Sequence, residues 1–378
     1  WTMRMFSSRW LVAALSLFLV SGLVACGDDD GSGNNNHVLN NNNGNGNDNT
    51  NQNNNNNNNV TIPEVVECQN PALTPPATGT CSVTAGTDLV VLQGTVLAPT
   101  KILRNGQVAL DRATGSIVCV DCDCSSVSGY AGATRVDCAN GVISPGLINM
   151  HDHLNYAQNS PKSHGTERFE HRHDWREGIR GHTEVDYDSG NSSNVLWGEL
   201  RMLLGGVTSI QGATGRAGLV RNLEGSLGGL ATQSVYEVVF PLDDIDGTLR
   251  SSDCNYGNDP TNAGDIAGKD SYIPHVSEGI DVEARNEFLC QASDNNGGND
   301  LLEPQTAIIH AMALNADDAE LVRAAGAKVI WSPRTNIDLY GNTAPVTLYH
   351  TMGIPIALGT DWTVSGSMNL LRELKCAD

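Results

Sequence analysis

Short apolar runs, separated by glycine and asparagine, occupy the region from residue 65 to residue 144. Their alternation of apolar and polar positions is typical of half-buried β-strands. The clearest runs are Asp88–Leu97, Gly106–Leu110 and Ser116–Val120. We therefore predict a small β domain over residues 65–144.

From Val142 onward, apolar strands alternate with segments of helical periodicity. The predicted strands are Val142–Met150, Gly206–Ile210, Ser234–Phe240, Tyr272–His275, Thr306–His310, Lys328–Trp331 and Ile354–Leu358. The predicted helices between them include Val282–Leu289 and Ala316–Ala325. Repeated strand–helix units form parallel sheets, and about eight of them close into a barrel. Residues 145–378 are therefore predicted to form a (β/α)8 TIM-like barrel of the α/β class.

The start of the chain has the pattern of an export signal. Arg4 and Arg9 precede an apolar run of 16 residues, Trp10–Ala25. A membrane-spanning helix needs about 20 apolar residues, so the run suits the core of a signal peptide better. It ends in Leu-Val-Ala-Cys-Gly, which resembles the processing site of bacterial lipoproteins. We predict that residues 1–26 are a lipoprotein signal peptide with lipidation at Cys26. An ordinary signal peptide or an uncleaved anchor is the alternative.

Asparagine dominates the next segment and fills 18 of the 26 positions from Asn34 to Asn59. Such a composition cannot bury apolar surface and stays solvated. Residues 27–64 are therefore predicted to be a disordered tether between a lipid anchor and the folded part. We expect the protein in the cell envelope of a bacterium, outside the cytoplasm, with membrane contact only through its lipid.

The charge balance narrows the class of partner. The chain has 378 residues, of which 43 are acidic and 22 basic, and its formal charge is −21. Binding to nucleic acid or to an anionic membrane surface needs a basic face. The balance argues against both partners and leaves a small-molecule substrate as the expected one. The oligomeric state stays open.

Ten cysteines indicate an oxidising compartment or a metal. A Cys-x-x-Cys-x-Cys motif at residues 119–124 has the look of a metal knuckle, but for an exported chain disulfides are the favoured interpretation. The predicted local pairs are Cys68–Cys81 and Cys254–Cys290. The other four cysteines of the β domain are expected to pair among themselves, with Cys376 left over.

Candidate metal ligands stand where predicted barrel strands end. His151 and His153 close the first strand, and because alternate residues of a strand share a face, both imidazoles can point to one spot. His275, His310 and Asp361 end later strands, at intervals of 122, 35 and 51 residues from His153 onward. These intervals predict positions at the C-terminal ends of strands 1, 5, 6 and 8, the face where barrel active sites form.

Two histidines on one face are a natural start to a divalent metal site. A metal lowers the pKa of bound water to about 7. Asp361, if it contacts that metal, can then accept a proton from the water. Neutral imidazoles with one carboxylate suit Zn²⁺, with Fe²⁺ as the alternative.

Several ordered motifs then carry a resemblance to a known family. They are Pro145–His153, His275–Gly279, Ile309–Ala311, Trp331–Asn336 and Leu358–Asp361. With them the chain resembles the metal-dependent amidohydrolase superfamily, in the branch of cytosine, guanine and triazine deaminases and imidazolonepropionase-like hydrolases. The resemblance implies a (β/α)8 barrel with a small β-sandwich and one divalent metal. It also implies hydrolysis of C–N bonds other than peptide bonds, in cyclic amides or amidines, by metal-activated water.

The resemblance also implies roles for single residues. His151, His153, His275 and Asp361 would bind the metal, and Glu278, His310 and Asp361 would be catalytic. Some family members bridge two metals with a carboxylated lysine on the fourth strand. Ser234–Phe240 contains no lysine, which favours a single metal. Family members usually continue past the metal aspartate to complete the β-sandwich, so the chain is expected to be C-terminally incomplete.

Weaker candidates for substrate binding lie elsewhere. His171, Arg172, His173 and Arg176 are predicted on the loop after strand 1, over the mouth of the site, where an arginine would suit a carboxylate. A solvated polar loop is the alternative. Two residues that follow the seventh strand, Arg334 and Asn336, are candidates for pocket lining. A catalytically inactive surface lipoprotein with a binding or structural role is the alternative function, against which the intact His/Glu/Asp set speaks.

Overall fold

The computed structural model describes residues 63–212, 219–224 and 234–378. The predicted signal peptide, Cys26 and nearly all of the predicted tether lie outside these residues. The chain divides into two compact units, with the boundary between Pro145 and Gly146. Among the described residues, no helix is both long and apolar enough to cross a membrane.

One six-stranded sheet makes up the unit before Gly146. Its strand order is β1-β4-β3-β6-β2, and β5 pairs with β4. The predicted runs of this region appear as β3, β4 and β5. The strands are β1 (Glu64–Glu67), β2 (Ser82–Thr84), β3 (Thr87–Leu97), β4 (Lys101–Asp111), β5 (Ser116–Asp121) and β6 (Ala133–Ile143).

Three disulfides lie in this unit, and most of the predicted pairing was wrong. Cys68 bonds to Cys122 instead of Cys81 because β1 and β5 lie end to end along the same edge of β4. Cys81 bonds to Cys138 because β2 is antiparallel to β6 and Ser82 faces Asp137. The other bonds are Cys119–Cys124 and the predicted Cys254–Cys290.

The described residues from Gly146 onward contain eight strands, with helices between most of them. The strands are β7 (Leu147–Asn149), β8 (Val207–Ile210), β9 (Arg221–Asn222), β10 (Val235–Val238), β11 (Ser271–Val276), β12 (Ala307–His310), β13 (Lys328–Trp331) and β14 (Ile356–Leu358). The helices are α1 (Arg172–Glu177), α2 (Ser192–Leu204), α3 (Ala263–Ile266), α4 (Val282–Gln291), α5 (Ala316–Ala325), α6 (Pro333–Tyr340), α7 (Val346–Thr351) and α8 (Leu370–Ala377).

These strands are all parallel to their neighbours and form two sheets, β7-β8-β9 and β10-β11-β12-β13-β14. Backbone hydrogen bonds from Met150 N to Leu358 O (3.0 Å) and from Asp361 N to His151 O (2.9 Å) join the segment after β7 to the end of β14 and the residues that follow it. No pairing joins β9 to β10 within the described residues. The parallel α/β order is confirmed, and full closure of the barrel stays a prediction.

One predicted strand is divided in the structure, and one strand was missed. The single strand predicted over Val142–Met150 is broken at Pro145, so that β6 ends at Ile143 and β7 begins at Leu147. A proline lacks the N–H that a ladder needs, which explains the break. The two-residue β9 was not predicted, because so short a strand has no periodicity to detect.

The largest core cluster fills the space between β11, β12 and β13 and the helices that cover them. Its fully buried members include Val276, Phe288, Ile308, Val322, Val329 and Tyr349. This packing holds the carboxyl ends of the central strands in fixed positions, and the candidate ligands lie at those ends.

Candidate active site

The structure brings the predicted strand-end residues together at one edge of the parallel strands. His151 and His153 follow β7, His275 lies in β11, His310 ends β12, and Asp361 follows β14 by three residues. Several non-glycine residues here have left-handed backbones, with φ of 59° at Ser277, 73° at His310 and 54° at Asp361. Such conformations are costly and cluster at functional sites, where the surrounding structure enforces them.

Four donor atoms converge on one point. The Nε2 atoms of His151 and His153 are 3.1 Å apart, and that of His275 is 3.1 Å from the first and 3.3 Å from the second. Asp361 Oδ1 is 3.6 Å from the Nε2 atoms of His151 and His153. A tetrahedral zinc with Zn–N distances of about 2.0–2.1 Å keeps its ligand atoms about 3.3–3.4 Å apart. The donor set therefore fits one divalent metal.

The imidazoles are held in the form that binds metals. His275 Nδ1 is 3.4 Å from the carbonyl of Val238, which can only accept, so its free lone pair is on Nε2. His151 Nδ1 lies 2.9 Å from Ser332 Oγ, which leaves its Nε2 directed at the other ligands. Burial, reinforced by the neighbouring histidines, lowers the pKa of His151 and of His275 well below the usual value. Burial also lowers the pKa of His153 to about 4.

A bound cation would compensate the buried carboxylate of Asp361. Burial, with a further contribution from Glu278, raises the pKa of Asp361 well above its ordinary value. An isolated buried carboxylate is unfavourable unless a positive charge or a metal compensates it. The carboxylate and three neutral imidazoles together suit zinc chemistry.

Glu278 and His310 lie beside this cluster. His310 Nε2 is 3.5 Å from Glu278 Oε2, and Asn336 Nδ2 is 3.2 Å from His310 Nδ1. Tyr340 Oη donates to Glu278 Oε1 at 2.8 Å and accepts from Trp175 Nε1 at 2.8 Å. Burial raises the pKa of Glu278 to about 7, which suits a group that takes and returns protons near neutral pH.

A buried network of polar side chains stabilises the segment that carries His151 and His153. Asn149 Nδ2 donates to Thr360 Oγ1 at 2.6 Å and to Asp152 Oδ2 at 2.9 Å. Thr360 Oγ1 also donates to Asp152 Oδ2 at 2.6 Å. The network ties the residues on both sides of His151 to the residue before Asp361. Asp152 and Asn149 lie inside the quoted motif, but their orientation could not be read from it.

A cavity of about 320 Å³ opens next to the four donors. Aromatic side chains form much of its wall, and two arginines and the candidate catalytic groups complete it. The lining residues that matter here are Tyr156, Trp175, Tyr187, Phe240, Trp362, Arg172, Arg176, Glu278 and His310. Trp362 packs against Tyr187, Trp175 and Tyr156 with ring centroids 4.8, 5.1 and 5.7 Å away.

The second histidine group folds differently from the prediction. Residues from Arg172 onward form the helix α1 rather than a loop, because His171 accepts from His173 N and Asp174 accepts from His171 N in a capping box. His171 and His173 are buried and do not line the cavity. Of the two arginines on the wall, Arg172 is already paired with acidic side chains.

Arg334 and Asn336 lie on α6 and are buried outside the cavity wall. Arg334 Nε donates to Ser367 Oγ at 3.0 Å. Asn336 approaches the site only through His310. Tyr340, one turn further along α6, does contact the cavity residue Glu278. Its part in the site was not predicted, because nothing in the sequence around a helical tyrosine indicates such a role.

No family model matches the chain. A 5-methylthioadenosine/S-adenosylhomocysteine deaminase of Halobacterium salinarum is 23% identical over 321 residues, which are 76% of this chain and 72% of that protein. The enzyme of the same name from Nitratidesulfovibrio vulgaris is 35% identical over 82 residues, which are 21% of this chain and 19% of that protein. These relatives are deaminases.

Solved structures align with about three quarters of this chain at TM-scores below 0.5. A guanine deaminase from C. acetobutylicum, with guanine bound, has a TM-score of 0.47 and 16% identity, and covers 76% of this chain and 78% of its own. A zinc-complexed atrazine chlorohydrolase from Arthrobacter aurescens TC1 has a TM-score of 0.46 and 17% identity, and covers 73% and 72%.

Proposed function

We propose that this chain is a metal-dependent hydrolase of C–N bonds other than peptide bonds, that it belongs to the amidohydrolase superfamily, and that its eight parallel strands close into a (β/α)8 barrel. The observation that carries the proposal is the convergence of three neutral histidines and Asp361 beside Glu278. The relatives named as deaminases support the type of bond.

His151, His153, His275 and Asp361 would hold the metal, for which zinc is the best match to the donor set. When bound, zinc acts as a Lewis acid and makes water nucleophilic at neutral pH. The side chains around it supply the proton transfers and fix the position of the substrate.

Glu278 is the proton carrier. Its carboxyl faces the cavity, its pKa is about 7, and the Tyr340 hydroxyl fixes one of its oxygens while the other faces His310. It can therefore protonate the departing nitrogen of the substrate. Asp361 accepts a proton from the attacking water. His310 donates a hydrogen bond to the atom of the substrate that gains negative charge.

The walls of the cavity favour a flat substrate. Trp175, Trp362, Tyr156 and Tyr187 offer ring faces and edges, against which a heteroaromatic ring can stack. A volume of about 320 Å³ limits the bound part to a small molecule. We infer removal of an amino group from an aminated heterocycle, with a cyclic amide as the related alternative.

Ammonia release from purine nucleosides, 5′-methylthioadenosine, guanine and aminated triazines tests this function. We expect turnover of at least one of them, loss of that turnover after treatment with a zinc chelator, and its return on addition of Zn²⁺. A peptide panel serves as the control and should stay intact. Well-folded, zinc-loaded protein that releases no ammonia and opens no cyclic amide would leave the inactive surface lipoprotein as the better account.

We also propose attachment to the bacterial cell envelope through a lipid on Cys26, on the strength of the sequence of residues 1–26. A Cys26→Ala variant should move from the membrane fraction to the soluble fraction of the expressing cells and lose the mass of the lipid. The matched control is Ser21→Ala, a similarly small change inside the apolar run. Equal partitioning of the Cys26→Ala variant and the unmodified protein would contradict the anchor.

A further inference from the structure

A buried ion network lies directly behind Glu278 and His275, and the proposed chemistry makes no use of it. Its charged members are Arg172 at the start of α1, Asp244 in the segment after β10, and Glu287 on α4. All three side chains are 1% exposed or less. Burying charged groups is costly even when they are paired. The position of this network beside Glu278 and His275 therefore needs a physical reason.

Arg172 connects three parts of the barrel unit. Its guanidinium contacts Asp244 Oδ2 at 2.6 Å and Glu287 Oε1 at 3.1 Å. It also donates to the backbone carbonyl of Val239 at 2.7 Å and reaches that of His275 at 3.5 Å. The backbone N–H of Arg172 donates to the carbonyl of Glu278 at 2.9 Å. One residue thus contacts the main chain of a candidate metal ligand and of the proposed proton carrier.

Glu287 holds the turn between those two residues. Its Oε2 accepts from the backbone N–H of Ser277 at 2.9 Å. Ser277 has a left-handed φ of 59°, which a serine adopts only when its surroundings enforce it. The ring of His275 faces the other candidate ligands, and the turn that follows it directs the side chain of Glu278 into the cavity.

The positive charge of Arg172 argues against a second metal in this network. His173 Nε2 contacts Asp244 Oδ2 at 2.9 Å, and its Nδ1 accepts from Arg176 at 2.9 Å, so both ring nitrogens are engaged. His171 Nε2 lies 3.2 Å from Glu287 Oε1. The Arg172 guanidinium already pairs with the carboxylates of Asp244 and Glu287. A metal ion bound to these carboxylates would therefore be repelled by the positive charge of Arg172.

We propose that Glu287, oriented by Arg172, is a positioning residue that fixes the Ser277 turn and thereby the distance between the Glu278 carboxyl and the His275 imidazole. The inference rests on the proposed function and deepens it. Two contributions of Glu287 can be separated: the hydrogen bond to Ser277 N, which positions, and the ion pair with Arg172, which stabilises.

Three substitutions separate these contributions. Glu287→Gln keeps an oxygen that accepts from Ser277 N but removes the charge. Glu287→Asp keeps the charge but is too short to reach Ser277 N, and Glu287→Ala removes both. Asp318→Ala is the matched control, since Asp318 is a buried carboxylate on α5 that pairs with Arg285 of α4, the helix of Glu287, and does not line the cavity.

We expect kcat to follow the hydrogen bond and melting temperature to follow the charge. Glu287→Asp and Glu287→Ala should lower kcat by about 10–100-fold with KM changed by less than about threefold, the range for groups that orient metal ligands. Glu287→Gln should keep kcat within a few-fold of wild type despite a lower melting temperature. Asp318→Ala should lower the melting temperature only.

A second readout does not depend on turnover. With Co²⁺ as the bound metal, the visible absorption spectrum and the rate of Co²⁺ loss to a chelator should change in Glu287→Asp and stay near wild type in Glu287→Gln. If no substrate is found, the proposed function fails while these two variants still decide the positioning role. Equal spectra and equal Co²⁺ loss in both, or a kcat that falls in step with melting temperature in all variants, would overturn it.

Discussion

Replacing Asp361 with alanine is expected to lower turnover by about 10⁴-fold while the protein stays folded. The carboxylate is at once a candidate metal ligand, with its Oδ1 3.6 Å from two histidine Nε2 atoms, and the proposed acceptor of the proton from water. Its loss removes both contributions. Bound zinc should fall well below one per chain, as measured by elemental analysis on the dialysed variant.

Folding gives an independent check on this variant. The raised pKa of Asp361 means that, without metal, its ionised form opposes folding at pH values above the usual range of an aspartate. Metal-free Asp361→Ala should therefore melt at or above the temperature of metal-free wild type at pH 7. Asp317→Ala, at an exposed position on α5, is the control and should keep full activity. A variant of Asp361 that retains zinc and turnover would remove this residue from the site.

Glu278→Gln is expected to lower kcat by about 10²–10⁴-fold and to leave zinc bound. Glutamine keeps the shape of the side chain and still accepts from Tyr340 Oη, but it cannot carry a proton. The limb of the pH–rate profile that this carboxyl sets should disappear as well. Steady-state kinetics over a pH series and metal content measured on the same sample check the prediction.

Glu283→Gln is the matched control for that experiment, because Glu283 lies on α4 away from the cavity. Its kcat and pH profile should equal those of wild type. A Glu278→Gln variant with normal kcat would show that another group moves the proton. Loss of zinc in the same variant would instead make Glu278 a metal ligand.

Patterns local in sequence predicted the elements well. Helix α5 begins and ends as expected, since Asn315 caps its first turn and Gly326, with φ of 70°, ends it. The histidines and Asp361 stand at ends of strands, and because parallel strands present their carboxyl ends at one edge, their meeting followed from the order of the elements.

Features that depend on contacts between distant segments could not be predicted. The Cys68–Cys122 bond arises only because β1 and β5 share an edge of β4, which spacing cannot reveal. Arg172 was expected to bind a substrate carboxylate. Its charge is instead paired with Asp244 and Glu287, which lie 72 and 115 residues further along the chain. Glu287 itself has no motif, because its role depends on how α4 packs against the end of β11.

Metal stoichiometry of the wild-type protein tests the central claim most directly. Elemental analysis of well-folded protein, equilibrated with Zn²⁺ and then dialysed against metal-free buffer, should give one zinc per chain, held by His151, His153, His275 and Asp361. Two metals per chain would contradict the single-metal site. No metal in folded protein would contradict the hydrolase itself.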